Sequence, residues 1–201
     1  MQTKPITLVC AVLIALIGAG SVRGAQHVVP PPVPGELEVD GGHVPYLMMH
    51  AVGTQNQICL PRTSGVGLGW TLWGPQATIY DGRGEQILTH YLSANPEEGG
   101  VLRATWRHSR DTSTVWAFAT ATSSDGNYVE PGAIAWLRLQ VVGAEDGPTG
   151  GDRLSRTTFI QRVNTVGGMA PPTDCAPLGA KLFVPYEADY VFYKKQGPEA
   201  Q

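Results

Sequence analysis

The sequence predicts an all-β, single-domain protein, an antiparallel sandwich or barrel of about eight or more strands. Three observations carry that reading. Short apolar runs recur between clusters of Gly, Pro, Asn and Asp. Several of those runs alternate apolar and polar with period two, and no stretch shows the period of an amphipathic helix. Composition agrees: 25 Gly and 16 Pro stand beside only 15% charged residues, while 42% hydrophobic residues are enough for a core and too many for disorder. Strand order is written in no motif, so sandwich and barrel both remain open.

From the N-terminus, Lys4, the apolar run Ile6 to Ile17 and the small residues from Gly18 to Ala25 stand in the order of a secretory signal peptide. Residues 1–24 are read as that signal, 25–36 as a Pro-rich linker, 37–195 as a single β domain and 196–201 as a tail. The protein is therefore expected outside the cytoplasm, extracellular or periplasmic. The apolar run is shorter than the roughly 20 residues of a membrane-spanning helix, so no stable span is expected once it is cleaved. Cys10 lies inside the apolar run rather than after it, which argues against lipidation. The formal charge of −3 becomes about −5 without Lys4 and Arg23, which disfavours a nucleic-acid partner.

Val12 to Gly24 imitates a strand followed by a dinucleotide-binding glycine turn. That motif needs a helix directly afterwards, whose N-terminus holds pyrophosphate. Here Val28, Val29 and prolines 30, 31, 32 and 34 follow. A dehydrogenase reading is rejected on that ground, and no motif implies a cofactor. The two remaining cysteines, Cys59 and Cys175, are expected to form a disulfide in an oxidising compartment. Neither has the neighbours of a zinc or redox site. A closed loop of about 116 residues is worth a little over about 4 kcal/mol in the chain-entropy account.

Ala77 to Asp81 and Glu85 to Leu92 read as a hairpin around Gly82 to Gly84. Asn95 to Gly100 turns the chain again. In Val101 to His108, Leu102, Ala104 and Trp106 share one face while Arg103, Thr105 and Arg107 share the other, which is a half-buried strand. Ser113 to Thr122, Ala133 to Val142 and Arg153 to Val163 are further strands. Lys181 to Tyr193, rich in aromatics at its end, is the last.

The pieces Trp73-Gly74-Pro75-Gln76-Ala77, His90, Trp106, Ile134-Ala135-Trp136-Leu137, Ile160 to Thr165 with Gly167-Gly168, and Val184 to Tyr193 occur in a recognisable order. Together they resemble domain-of-unknown-function family 3455, over about Gln57 to Tyr193. The resemblance implies a secreted protein of bacterial or fungal type and carries no established activity. Some relatives bear a malate dehydrogenase label, which the residues above do not support. Family members usually have a histidine soon followed by Gly-Pro-Thr-Trp and then Asp-Gly-Ser. Here the Asn95 to Gly100 turn separates His90 from Trp106, and Asp111-Thr112-Ser113 stands in place of the glycine turn.

Four residues are candidates for binding a ligand. His90 shares a face with Leu88 and Leu92, and is either an inert histidine at the core edge or a base near physiological pH, oriented by Asp81 or Asp111. Arg162 and Asn164 lie where a strand meets the Gly167-Gly168 loop, and Arg can grip a carboxylate bidentately. Alternatively they make the turn and pair across the sheet. Trp136 shares a face with Arg138 and Gln140, which predicts an exposed ring able to stack on a sugar. Trp106 and Trp116 are expected in the core. No metal is assigned to the folded domain: Met48 and His50 point opposite to Met49 on a strand. Ala25-Gln26-His27 becomes a square-planar copper or nickel chelate only if cleavage falls after Gly24. With no nucleophile motif in view, the sequence favours a binding or envelope-associated module for a small molecule or glycan. The alternative is a hydrolase or metal-dependent enzyme built on His90.

Overall fold

Period-two alternation closes on itself in the computed structural model, which describes residues 28–197. Eight strands, β1 (His43–Pro61), β2 (Leu68–Tyr80), β3 (Gln86–Asn95), β4 (Val101–His108), β5 (Thr114–Ser123), β6 (Trp136–Glu145), β7 (Thr157–Gly167) and β8 (Lys181–Lys195), follow one another. Each pairs antiparallel with the next, and β8 returns to β1, giving a closed barrel in sequence order. The choice between sandwich and barrel is thus settled by closure. No helix among the described residues is long and apolar enough to cross a membrane. The expected strands are present, although β6 and β7 begin at Trp136 and Thr157 rather than at Ala133 and Arg153. The residues before them are spent elsewhere: Ile134 N donates to Gly167 O, and Leu154 O accepts from Thr157 N.

Turn chemistry sets the register. Asp81 Oδ1 accepts from the backbone N–H groups of Arg83 and Glu85, closing the β2–β3 turn. Asn95 Oδ1 accepts from Glu97 N at 3.1 Å and starts a 3-10 turn, Pro96–Glu98, which Gly99 ends at φ 63°. Gly167 and Gly168 both have positive φ, and a Cβ on Gly168 would lie 2.9 Å from Tyr186 Cβ. Only glycine fits that corner.

The two ends of the barrel are filled differently. At the end bearing the β2–β3 and β4–β5 turns, Ile79, Leu88, Val115, Ile160 and Phe192 are fully buried, and Leu154 from the β6–β7 connection packs into the same core. Each such side chain is worth about 1.5–3 kcal/mol. Towards the other end, the inward positions carry Gln55, His90, Ala104, Ala117 and Arg162. That end stays open.

A second apolar layer lies outside the barrel. The Pro-rich segment leads into a 3-10 turn, Gly35–Leu37, and Leu37 is buried with Val129, Trp136, Val163, Val191 and Tyr193. Gln161 fixes it from below: its Nε2 donates to Leu37 O at 2.7 Å, and its Oε1 accepts from Tyr193 Oη at 2.6 Å. Val28 and Val33 pack against the same layer. Cys59, near the end of β1, is disulfide-bonded to Cys175 in the β7–β8 connection, with Cα atoms 5.7 Å apart. Backbone bonds from Cys59 N to Ala180 O and from Gly179 N to Cys59 O flank it.

Two stability changes follow from these ties. Cys59→Ala with Cys175→Ala should cost up to about 4 kcal/mol, since the loop it closes is long. Leu37→Ala should cost roughly 2–5 kcal/mol while leaving the strand content intact. Urea unfolding with circular dichroism measures both; a Leu37→Ala loss below about 1 kcal/mol would show that the outer layer is not part of the cooperative unit.

Candidate functional site

The open end encloses a cavity of about 230 Å³. Leu72, Leu92, Leu102, Phe118 and Leu137 form its apolar walls, and Gln55, His90, Trp106, Arg162 and Tyr190 add polar groups. That volume equals roughly eight waters, which suits a ligand of about ten non-hydrogen atoms.

His90 is placed by pairing. In the β3–β4 register it lies directly opposite Trp106, and the two rings stack at 4.2 Å with an interplanar angle of 13°. Tyr190 meets both rings edge-on. The Asn95 to Gly100 turn therefore does not separate the histidine from the tryptophan; it is the hairpin that brings them together. His90 Nδ1 lies 2.9 Å from Thr105 O. A carbonyl only accepts, so Nδ1 carries the proton and Nε2 keeps a bare lone pair. Burial pushes the pKa down to about 3; the Thr105 carbonyl opposes this and the Arg162 charge adds to it. The ring is neutral at physiological pH.

Arg162 reaches the cavity from β7. Its Nε and Nη2 donate to Ala135 O at 3.2 and 2.7 Å. Burial raises the Tyr190 hydroxyl pKa, with Arg162 opposing. Burial likewise raises that of Tyr186, whose hydroxyl is 3.4 Å from that of Tyr190. Both phenols stay protonated. Two buried donors of the cavity wall, Gln55 Nε2 and Trp106 Nε1, have no acceptor among the described residues. An unmet buried N–H costs about 1–3 kcal/mol.

The four sequence candidates separate. His90 and Arg162 share the cavity. Asn164 does not: a bulge between Val163 and Val166 and a positive φ of 50° break the alternation. Its Nδ2 donates outside to Asp189 Oδ2 at 2.8 Å. Asp189 Oδ1 in turn meets His50. Trp136 is on the outer face with Arg138, as expected, but it is only 4% exposed. The outer apolar layer covers it, and Tyr128 packs against its ring, so the expected stacking platform is absent there. Asp81 and Asp111 do not orient His90. Asp81 is held in the β2–β3 turn, and Asp111 accepts from Ser113 and Arg153 N in loops at the closed end. Trp106 and Trp116 are buried as expected. Ala25-Gln26-His27 lies outside the described residues.

A second concavity lies outside the barrel on β8, β1, β2 and β3. It is a groove of about 790 Å³ lined by Val52, Asn56, Trp73, Gln76, Tyr91 and Phe183, among others. Trp73 and Phe183 are 50% and 54% exposed, and Lys181 Nζ lies 4.0 Å over the Trp73 ring.

A family described as a protein of unknown function (DUF3455) matches residues 40–194. The chain belongs to the DUF3455 family. No curated protein and no solved structure matches it. In this DUF3455 chain, the matched residues span all eight strands, including the β1 segment before Gln57 that the sequence resemblance did not cover.

Sequence reasoning missed Gln55, Tyr190 and the use of Trp106 as a cavity wall. One signal was present in β1, where the core-facing series Met49, Ala51, Gly53 turns polar at Gln55 and Gln57. Polar residues on the buried face of a strand mark a site or a network.

Burial also makes stability depend on pH. His90 and His108 both have folded pKa values below the ordinary 6.5, each chiefly through burial. The unfolded chain therefore binds more protons below pH 6.5, so this stability is full above 6.5 and falls as pH drops. Glu98, held down to about 2 by Arg103 and Asn95, loses its contribution only below 4.5. Between pH 6.5 and 4.5 His90 and His108 each contribute a slope of up to about 1.4 kcal/mol per pH unit. His90→Gln should flatten that slope measurably in urea titrations, and an unchanged slope would show that His90 is solvated.

Proposed function

We propose that this DUF3455 protein is an exported binding module whose ligand occupies the open end of the barrel. The observation that carries the reading is the cavity, whose apolar walls are joined by a neutral His90, a half-buried Arg162 and donors that have no acceptor among the described residues. Sites of this composition, mostly apolar with a few fixed polar groups, are the usual form of small-molecule pockets. The signal-like N-terminus and the Cys59–Cys175 bridge support export. Catalysis by His90 lacks support: its proton faces a backbone carbonyl, its basicity is low, and Asp81 and Asp111 are engaged at the other end of the barrel.

A second reading places a glycan in the outer groove. The exposed faces of Trp73 and Phe183 favour it, beside the neutral side chains of Asn56 and Gln76.

The readings are separable by ligand-observed NMR with a library of neutral and charged fragments of about ten non-hydrogen atoms and a set of soluble oligosaccharides. Ala104→Phe fills the cavity, and Trp73→Ala strips the groove. The barrel reading predicts fragment binding that Ala104→Phe abolishes and Trp73→Ala leaves intact. Oligosaccharide binding lost in Trp73→Ala, with no fragment bound in the wild type, would replace it by the groove reading.

A further inference from the structure

We propose that the open end of the barrel selects a small monocarboxylate with an apolar, ring-sized body and a hydrogen-bond donor, the carboxylate meeting Arg162 and the donor meeting His90 Nε2. The assignment rests on the barrel reading above and names the ligand class that the same cavity takes.

Charge is the first argument. Arg162 has no Asp or Glu within ion-pair distance among the described residues, whereas Arg103 at the rim is already paired with Glu98 at 2.6 Å. No residue lining the cavity is acidic, and the lining tyrosine, Tyr190, stays protonated. The site therefore carries one uncompensated positive charge inside walls of Leu92, Phe118, Leu137 and Leu139. A guanidinium in such surroundings is most favourably matched by a planar carboxylate, because the fork of N–H donors fits two oxygens at once. Nε and one N–H of Nη2 are spent on Ala135 O. That contact fixes the plane of the group; the guanidinium also lies within hydrogen-bonding reach of the Tyr190 hydroxyl, and the N–H donors left over are available to an anion.

Donor and acceptor counting gives the second half. Gln55 Nε2 is a buried amide donor without a partner among the described residues, a second contact for an anionic oxygen. His90 is the reverse: with Nδ1–H committed to Thr105 O, Nε2 offers a lone pair with no donor among the described residues. A ligand that is only an anion leaves that lone pair unmet, and a ligand hydroxyl satisfies it. Size limits the rest, since about 230 Å³ admits a single ring or a short branched chain and excludes a long acyl chain or an oligosaccharide.

Calorimetry on the full chain tests this with acetophenone, benzoate and the three hydroxybenzoate isomers. Acetophenone, neutral and without a hydrogen-bond donor, is the probe of the cavity itself. The expected result is benzoate bound at least roughly tenfold tighter than acetophenone. In Arg162→Gln that preference should collapse to within about twofold, while Arg162→Lys retains part of it. At least one hydroxybenzoate should bind more tightly than benzoate, and in His90→Phe the ratio of hydroxybenzoate to benzoate affinity should fall to about one. Equal binding of benzoate and acetophenone by the wild type would overturn the carboxylate assignment while leaving the barrel reading in place. Binding of neither would sink both. A carboxylate preference that survives Arg162→Gln would also overturn the assignment. Should Arg162→Gln fail to fold by thermal melt, the wild-type comparison and Arg162→Lys decide the matter.

Discussion

Pairing of β8 with β1, continuous in the ladder from His43 opposite Lys195 to Ile58 opposite Lys181 apart from one bulge, joins the first strand to the last and turns a meander into a barrel. Closure removes both sheet edges and also fixes the interior. Eight strands enclose a space just wide enough for side chains to fill or for one small ligand. Whether such a barrel is solid or hollow then depends on the residues that alternate inward, and this chain uses both answers. Leu154 and the large aliphatic residues make one end solid. Small and polar residues at Gln55, Ala104, Ala117 and Arg162 leave the other end hollow.

The hollow end is costly to maintain. Among the described residues it holds two buried nitrogen donors with no acceptor and a guanidinium with no acidic neighbour in the cavity lining, and a solid aliphatic core would avoid each of those penalties. Stability is recovered elsewhere. The bridge between Cys59 and Cys175 restrains the far end of β1, and the outer layer around Leu37 covers Trp136 and Val163. His90 belongs to both aspects. Its ring stacks on Trp106 and contributes packing, while burial keeps the imidazole itself uncharged beside the Arg162 guanidinium. The DUF3455 segment from Val184 to Tyr193 serves the same division: Tyr186, Tyr190 and Phe192 face the interior, and Val191 and Tyr193 face the outer layer.

Local information in the sequence accounted for much of the fold. The alternation of Leu102, Ala104 and Trp106 placed β4 residue for residue, and the Gly82 to Gly84 turn placed the β2–β3 hairpin. Closure was not legible, because it depends on a pairing between the first strand and the last. The exposure of Trp136 was misjudged for a related reason. Its face was correct, but the segment that covers it is about 100 residues away, as the Arg138 Nη1 bond to Glu38 O shows. Arg162 and Asn164 looked alike at positions two apart, and a bulge with one positive φ sends them to opposite sides of the wall. The orienting partner of His90 was sought among carboxylates and is a backbone carbonyl, which no side-chain motif encodes.

Nitrogen-15 NMR of the imidazole rings is the most direct test, because the site depends on an uncharged His90 whose Nδ1–H is held by Thr105 O. The account predicts that one histidine, absent from the spectrum of His90→Gln, stays neutral as the Nδ1–H tautomer from pH 7 down to about pH 4. A His90 that titrates near 6.5, or that carries its proton on Nε2, would contradict it.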